Sequence, residues 1–356
     1  MGALLAVVGV LGFSFKAILI KLAYRAAPVD PVALLALRMT YSAPFFMVLA
    51  WWTGRGAPRI DPRDMRLLVG LGFIGYYLSS LLDFLGLQYV TASLERLVLF
   101  LYPTIVVVLS AIFFAQPVTR RTAAALALSY AGIALAVWHD VRLTGDPAAI
   151  ALGSTLVFGS SVGYAIYLVG AGGIIGRLGS SRFISWAMLV STVFITLQFA
   201  LTKPLSALNL PMSVHMLALA MAVFCTVLPT WMIAESIRRI GASTASLVGS
   251  LGPMFTIGFG ALLLGEAINV LQMVGVALVL AGVVLISRGA PRPPAKPKGG
   301  TSFAAAQSDL TAILDGSSSG AEIHGTRHDR TLAPRPRGFV SAARAVLRRR
   351  PVGWRR

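Results

Sequence analysis

The sequence predicts an all-α polytopic membrane protein. Ten transmembrane helices form two inverted five-helix repeats, and a disordered basic C-terminal tail follows. Three observations carry this. Apolar residues make up 56% of the 356 residues and charged residues 12%, with a mean hydropathy of +0.78. That is about half the usual share of charge, too little to dress a soluble surface, and far too apolar for a chain disordered throughout. Apolar stretches of the length a helix needs to cross a bilayer recur ten times before residue 288. The two halves of that region also align on each other at a shift of 150 residues.

The ten stretches are approximately 2–23, 31–52, 66–88, 92–114, 121–138, 149–170, 182–201, 213–236, 244–264 and 268–287. Turn or charge signals separate them: Pro28-Val-Asp-Pro31, Gly54-Arg-Gly-Ala-Pro58, Arg120-Arg121, the run from Asp140 to Pro147, Lys203-Pro204 and Arg238-Arg239. The first stretch follows Met1-Gly2-Ala3 with no basic lead, so it reads as a retained helix rather than a cleaved signal. Residues 1–140 form the first repeat, 148–288 the second and 289–356 the tail.

Charge sets the orientation. With the N-terminus cytoplasmic, the inner breaks hold Arg55, Arg59, Arg63, Arg66, Arg120, Arg121, Arg177, Arg182, Arg238 and Arg239. The outer breaks hold Arg25, Arg142 and Lys203, with Lys21 and Arg96 at their margins. The positive-inside rule then places both termini in the cytoplasm of a bacterial-type inner membrane. Of the net charge of +18, residues 288–356 supply 14 basic and 4 acidic residues. This stretch is rich in Pro, Gly and Ser and reads as a solvated tail, with Ser341 to Arg350 able to form a basic helix on anionic lipid. No aromatic interleaving points to nucleic acid.

The repeat rests on Ala92-Ser93 matching Ala242-Ser243, Leu97-Val98 matching Leu247-Val248, Pro103 matching Pro253 and Gly132 matching Gly282. Five helices per half is an odd number, so the second half enters the membrane from the opposite side. Inverted repeats are a device of carriers that alternate access around a midplane site.

Several stretches resemble the drug/metabolite transporter superfamily, specifically its EamA-type ten-helix members with two EamA repeats. They are Gly12-Phe-Ser-Phe-Lys-Ala-Ile-Leu-Ile-Lys-Leu22, the mid-helix Arg38, Gly241-Ala-Ser-Thr-Ala-Ser246, and Leu264-Gly-Glu-Ala-Ile268 with Gln272, Gly275 and Gly282. The resemblance covers residues 1–287 and implies a secondary carrier, often an exporter, of small metabolites. Lys16 and the Gln116 that stands opposite Glu266 depart from the pattern, and Arg38 has no partner in the second half.

Ionisable residues inside membrane helices are costly and face protein or water. Lys16, Arg38, Asp83, Glu95 and Arg96 all fall at comparable depth in the outer half of the bilayer. Lys16 and Arg38 either clamp an anionic group or join structural ion pairs. Asp83 balances charge or carries a proton. Tyr76, Ser79, Ser80 and Asp83 share one helical face, and the repeat sets Thr226, Pro229 and Thr230 opposite. Tyr76, Ser80 and Thr230 are therefore candidate pathway walls. Pro103 and Pro253 are candidate paired kinks. Glu266 is expected to cap the tenth helix, Lys21 to snorkel to the interface, and Gly159 and Gly163 to allow close helix packing.

Other chemistry lacks its context. Gly70-x-Gly72-x-x-Gly75 has no strand before it, no Walker lysine motif occurs, and Cys225 with four scattered histidines makes no metal cluster. No catalytic constellation, cofactor or metal is expected. The reading is a secondary transporter of a small polar metabolite, amino-acid-like or an organic anion, with the bilayer and the solute as partners. A membrane receptor or scaffold acting through the basic tail is the alternative.

Overall fold

The computed structural model describes residues 1–113, 119–144, 146–249 and 251–289. Gln116 and the tail at 290–356 lie outside the described residues. Among the described residues the chain is helical, with no strand. The helices are α1 (Gly2–Ala26), α2 (Pro31–Gly54), α3 (Pro62–Gly86), α4 (Ala92–Phe113), α5 (Arg120–Thr144), α6 (Pro147–Leu178) and α7 (Ser180–Thr202). Helix α8 spans 212–249, α9 is Gly252–Leu264 and α10 is Val270–Gly289. Eight spans are long and apolar enough to cross a membrane, and two shorter apolar helices, Gly252–Leu264 and Val270–Leu285, complete the set.

Local chemistry starts the helices. The carboxylate of Asp30 accepts the Val32 and Ala33 amides, with Pro31 at the first helical position. Asp61 before Pro62 and Asp146 before Pro147 repeat the device. In each, the acid satisfies free amides and proline presets φ where no amide is needed.

Two interfaces reveal the repeat. Helix α1 runs antiparallel to α8, with Gly2 against Ile240, Gly9 against Ile233 and Gly12 against Pro229 and the Phe224 carbonyl. Helix α6 runs antiparallel to α3, with Gly153 against Val90, Gly163 against Ser79 and Gly170 against Leu71. A shift of 150 residues carries the first interface onto the second to within a residue. Helix α2 packs on α7 and α5 on α10, each helix on its own counterpart. The halves thus thread in opposite senses. At the α5–α10 crossing, a Cβ on Gly132 would lie 2.5 Å from the Gly275 carbonyl oxygen, and one on Gly275 2.7 Å from that of Gly132. Only glycine lets the two backbones meet there.

The irregularities repeat as well. Helix α4 breaks at Phe100-Leu101, and α8 ends at Gly249 before α9 starts at Gly252. Pro103 and Pro253 follow these breaks by the same interval. Pro103 has no amide to offer the Leu99 carbonyl, and Ser161 of α6 donates its hydroxyl to that oxygen at 3.0 Å. Wide π-type turns at Phe73–Leu78 in α3 and Val223–Val227 in α8 are also 150 residues apart. Such turns expose backbone carbonyls and favour functional sites.

One expected break is absent. The helix runs from Leu228 to Gly249 through Arg238-Arg239. Arginine is a good helix former, and Arg239 pairs with Glu235 one turn earlier at 2.6 Å, so these charges support the helix they were expected to end.

Candidate functional site

We call the membrane face bearing Gly2 and the 55–61 loop proximal, and the opposite face distal. The proximal face is tied by Arg177 to Asp64, at 2.9 Å from Nε and 2.6 Å from Nη2. The distal face is tied by Lys203 Nζ to Asp30, at 2.5 Å.

Between them lies a cluster of ionisable groups. Lys16 of α1 donates to Asp83 Oδ2 of α3 at 2.6 Å, and its Nζ lies 3.7 Å from Glu95 Oε1 of α4. Asp83 and Glu95 are buried and Lys16 nearly so, with side chains 2%, 1% and 16% exposed. Asp83 Oδ1 and both Glu95 oxygens receive no donor among the described residues. Arg38 of α2 is 6% exposed. Its Nε donates to Thr226 Oγ1 at 3.1 Å, its guanidinium sits 5.5 Å from the Phe84 ring centroid, and its Nη1 has no partner among the described residues. Taking a charge out of water costs several kcal/mol, and here four such side chains, Lys16, Arg38, Asp83 and Glu95, lie close together on four helices of one repeat.

Arg96 points elsewhere. Its guanidinium rests against Gly252 of α9, where a Cβ would fall 2.6 Å from Nη2, and its buried Nε has no hydrogen-bond partner among the described residues. It lies within electrostatic reach of Tyr102 and Tyr164. Tyr102 and Tyr164 meet edge to face at 5.2 Å, Tyr164 stacks on Tyr167 at 5.7 Å, and Tyr76 donates to or accepts from Tyr167 across 3.2 Å between hydroxyls. The charges come from the first repeat, while the second contributes the paired tyrosines of α6 and Thr226 of α8.

The expected site residues therefore separate. Lys16, Arg38, Asp83 and Glu95 share one cluster, and Tyr76 and Arg96 border the tyrosines. Ser80 is half-buried and makes no hydrogen bond that defines the site. Thr230 donates back to the Thr226 carbonyl at 2.6 Å in its own helix, and Thr226, one turn earlier, is the residue that meets Arg38. Tyr102, Tyr164 and Tyr167 were not singled out from sequence; the i, i+3 spacing of the last two was the available signal. Pro103 and Pro253 adjoin the paired breaks.

Glu266 needs a correction. Residues 265–269 are non-helical and α10 begins at Val270, so Glu266 does not open it. Its carboxylate crosses to the other repeat and accepts from the Ala92 amide (2.8 Å), the Ser93 amide (3.2 Å) and the Ser93 hydroxyl (2.6 Å), capping α4. Gly265, at φ +68°, makes the turn that aims it. Lys21 lines a distal cavity of about 400 Å³ with Arg25, Gln88, Thr91 and Glu266. Its counterpart in the repeat, Ala171, is buried, 1% exposed.

Helices long and apolar enough to cross a bilayer, threaded in two opposite senses, mark a multi-pass membrane protein. The family model for EamA-like transporters matches residues 1–138 and again 151–288. The chain belongs to the EamA-like transporter family. It is 29% identical over 282 residues to the uncharacterized transporter YcbK of Bacillus subtilis, covering 77% of this chain and 88% of that one. It is 27% identical over 263 residues to a probable terminal-alkyne amino-acid exporter of Streptantibioticus cattleyicolor, covering 70% and 82%. A crystal structure at 18% identity superposes with a TM-score of 0.53 over 80% of this chain and 96% of the other, a likeness of fold alone.

Proposed function

We propose that this protein is a secondary transporter that moves a small polar metabolite, amino-acid-like or an organic anion, outward across an inner membrane by alternating access. Both termini face the cytoplasm in this reading, so the distal mouth is extracytoplasmic. The observation that carries it is the Lys16–Asp83–Glu95 cluster, buried between halves of opposite sense. A purely structural bundle gains little from such a costly group, whereas a carrier uses it to exchange partners. The loop arginines support the orientation, and a relative named as an amino-acid exporter supports the solute class and direction.

Asp83 and Glu95 share the Lys16 ammonium, and in this reading one of the two carboxyl groups takes up and releases a proton during the transport cycle. Solute entry displaces that proton, which couples transport to a pH gradient. In proteoliposomes, the full chain should take up a labelled metabolite mixture against unlabelled solute inside, and an imposed pH gradient should drive it. Asp83→Asn should keep exchange but lose the response to the gradient. A full response in Asp83→Asn would remove the coupling, and no exchange of any solute would remove the transport reading. Deleting residues 290–356 should leave exchange intact, whereas a scaffold working through the tail would lose its activity.

A further inference from the structure

We propose that the distal cavity binds a soluble oxyanion that keeps one proton, hydrogen phosphate in type, with Lys21, Arg25 and Glu266 as its ligands. None of Lys16, Asp83 and Glu95 lines this cavity, and the site does not depend on the transport reading. Lys21 and Arg25 lie one turn apart on one face of α1, and both line the cavity. Among the described residues neither makes a hydrogen bond or an ion pair. The acids nearby are engaged elsewhere. Asp30 holds Lys203, Asp140 accepts from Thr91, and Glu266 caps α4. Two cations without partners in one concavity fit a dianion, whose oxygens accept charge-assisted hydrogen bonds from both.

Glu266 chooses between anions. An ionised carboxylate offers about four lone-pair sites. Three are filled here: Oε1 takes the Ala92 amide, and Oε2 takes the Ser93 amide and hydroxyl. The site left on Oε1 repels a bare anion and accepts from one that carries an O–H. Hydrogen phosphate carries an O–H at neutral pH and sulfate does not. The source follows from the surroundings. Near its distal end α1 is enclosed, with Ile18, Leu19, Ile20 and Ala23 all buried. The rest of the lining comes from segments between helices, at Pro28, Val29, Leu87 to Thr91 and Glu266. The cavity therefore lies among the distal loops, where Arg25, Pro28 and Gln88 are exposed, and its occupant arrives from water rather than from lipid. Residues 171 and 175, at the equivalent places in the second repeat, are Ala and Ile, so this charge pattern belongs to the distal face alone.

The test is equilibrium dialysis of radiolabelled inorganic phosphate against the full chain in detergent micelles, at fixed ionic strength. Binding should saturate. Unlabelled sulfate should compete at least about tenfold more weakly than unlabelled phosphate, because a site built to hydrogen-bond a group rejects the analogue without it. Chloride should not compete. Lys21→Ala and Arg25→Ala should each weaken binding at least about tenfold, the loss of one hydrogen bond from a charged group. Glu266→Gln, whose amide can donate, should bring sulfate level with phosphate. Arg55→Ala, on the proximal face, should change nothing. If a variant does not fold, the wild-type competition series decides alone. Binding that never saturates, sulfate equal to phosphate on the wild type, or a folded Lys21→Ala that binds as tightly as the wild type would overturn the proposal. Phosphate displaced by phosphatidylglycerol added to the micelles would make a lipid headgroup the occupant and overturn the soluble source.

Discussion

The ammonium of Lys16 on α1 and the carboxylate of Asp83 on α3 meet at 2.6 Å, with Glu95 beside them and buried apolar residues such as Ala17, Ile18 and Phe84 next to them in the chain. Neither group is stable there alone. Lys16→Met should leave Asp83 and Glu95 buried against each other and lower stability by about 3–5 kcal/mol, as when one member of a buried pair is removed. Thermal unfolding in detergent measures this. Adding Asp83→Asn should recover part of the loss, and a double variant no better than the single would show that the pair is not coupled.

The Glu266 cap should behave as a latch on α4. Glu266→Ala strips the acceptor from two amides and a hydroxyl, a loss of about 0.5–2 kcal/mol by analogy with other caps. Hydrogen exchange at Ala92 and Ser93 should speed up, while α6, far along the chain from this contact, keeps its protection. Glu266→Gln, which still accepts, should lie between the two.

Backbone contact between α5 and α10 tolerates no side chain. Gly132→Leu should force the helices apart and cost about 1–3 kcal/mol, the range for overpacked cores. Gly54→Leu, with nothing within 4 Å of its Cβ position, is the control and should be nearly silent. Unfolding midpoints of the two variants give the comparison.

The paired breaks make a local prediction. Ser161→Ala removes the hydroxyl that Leu99 accepts in place of the amide Pro103 lacks. The cost should be about 1 kcal/mol, and Pro103→Ala, which restores an amide, should relieve it in the double variant. Additive effects would show that Ser161 does not answer the proline.

Much of this architecture was legible because bilayer length and helical period are strong signals. The 150-residue shift that matched Pro103 to Pro253 pointed to paired kinks, and helices break just before both prolines, though not at Arg238-Arg239. Lys16, Arg38, Asp83 and Glu95 were legible because charge inside an apolar helix is rare. What sequence did not carry was direction around the helix. Arg96 follows Glu95 by one position, about 100° of turn, and so faces α9 and the tyrosines rather than Lys16. Glu266 sits beside α10 in sequence, yet the left-handed Gly265 turns it onto α4. Its partner lies 174 residues away, a separation over which no local pattern speaks.

Alternating access is tested most directly at Lys21 and its counterpart Ala171. One lines the distal cavity and the other is buried. In a Cys225→Ala background, Lys21→Cys and Ala171→Cys would each be reacted with a small polar maleimide, at rest and during exchange. Lys21→Cys should react faster at rest, and every condition that speeds Ala171→Cys should slow Lys21→Cys. Rates that rise together would mean a pore open at both faces, and an Ala171→Cys that never reacts while solute crosses would place the path elsewhere.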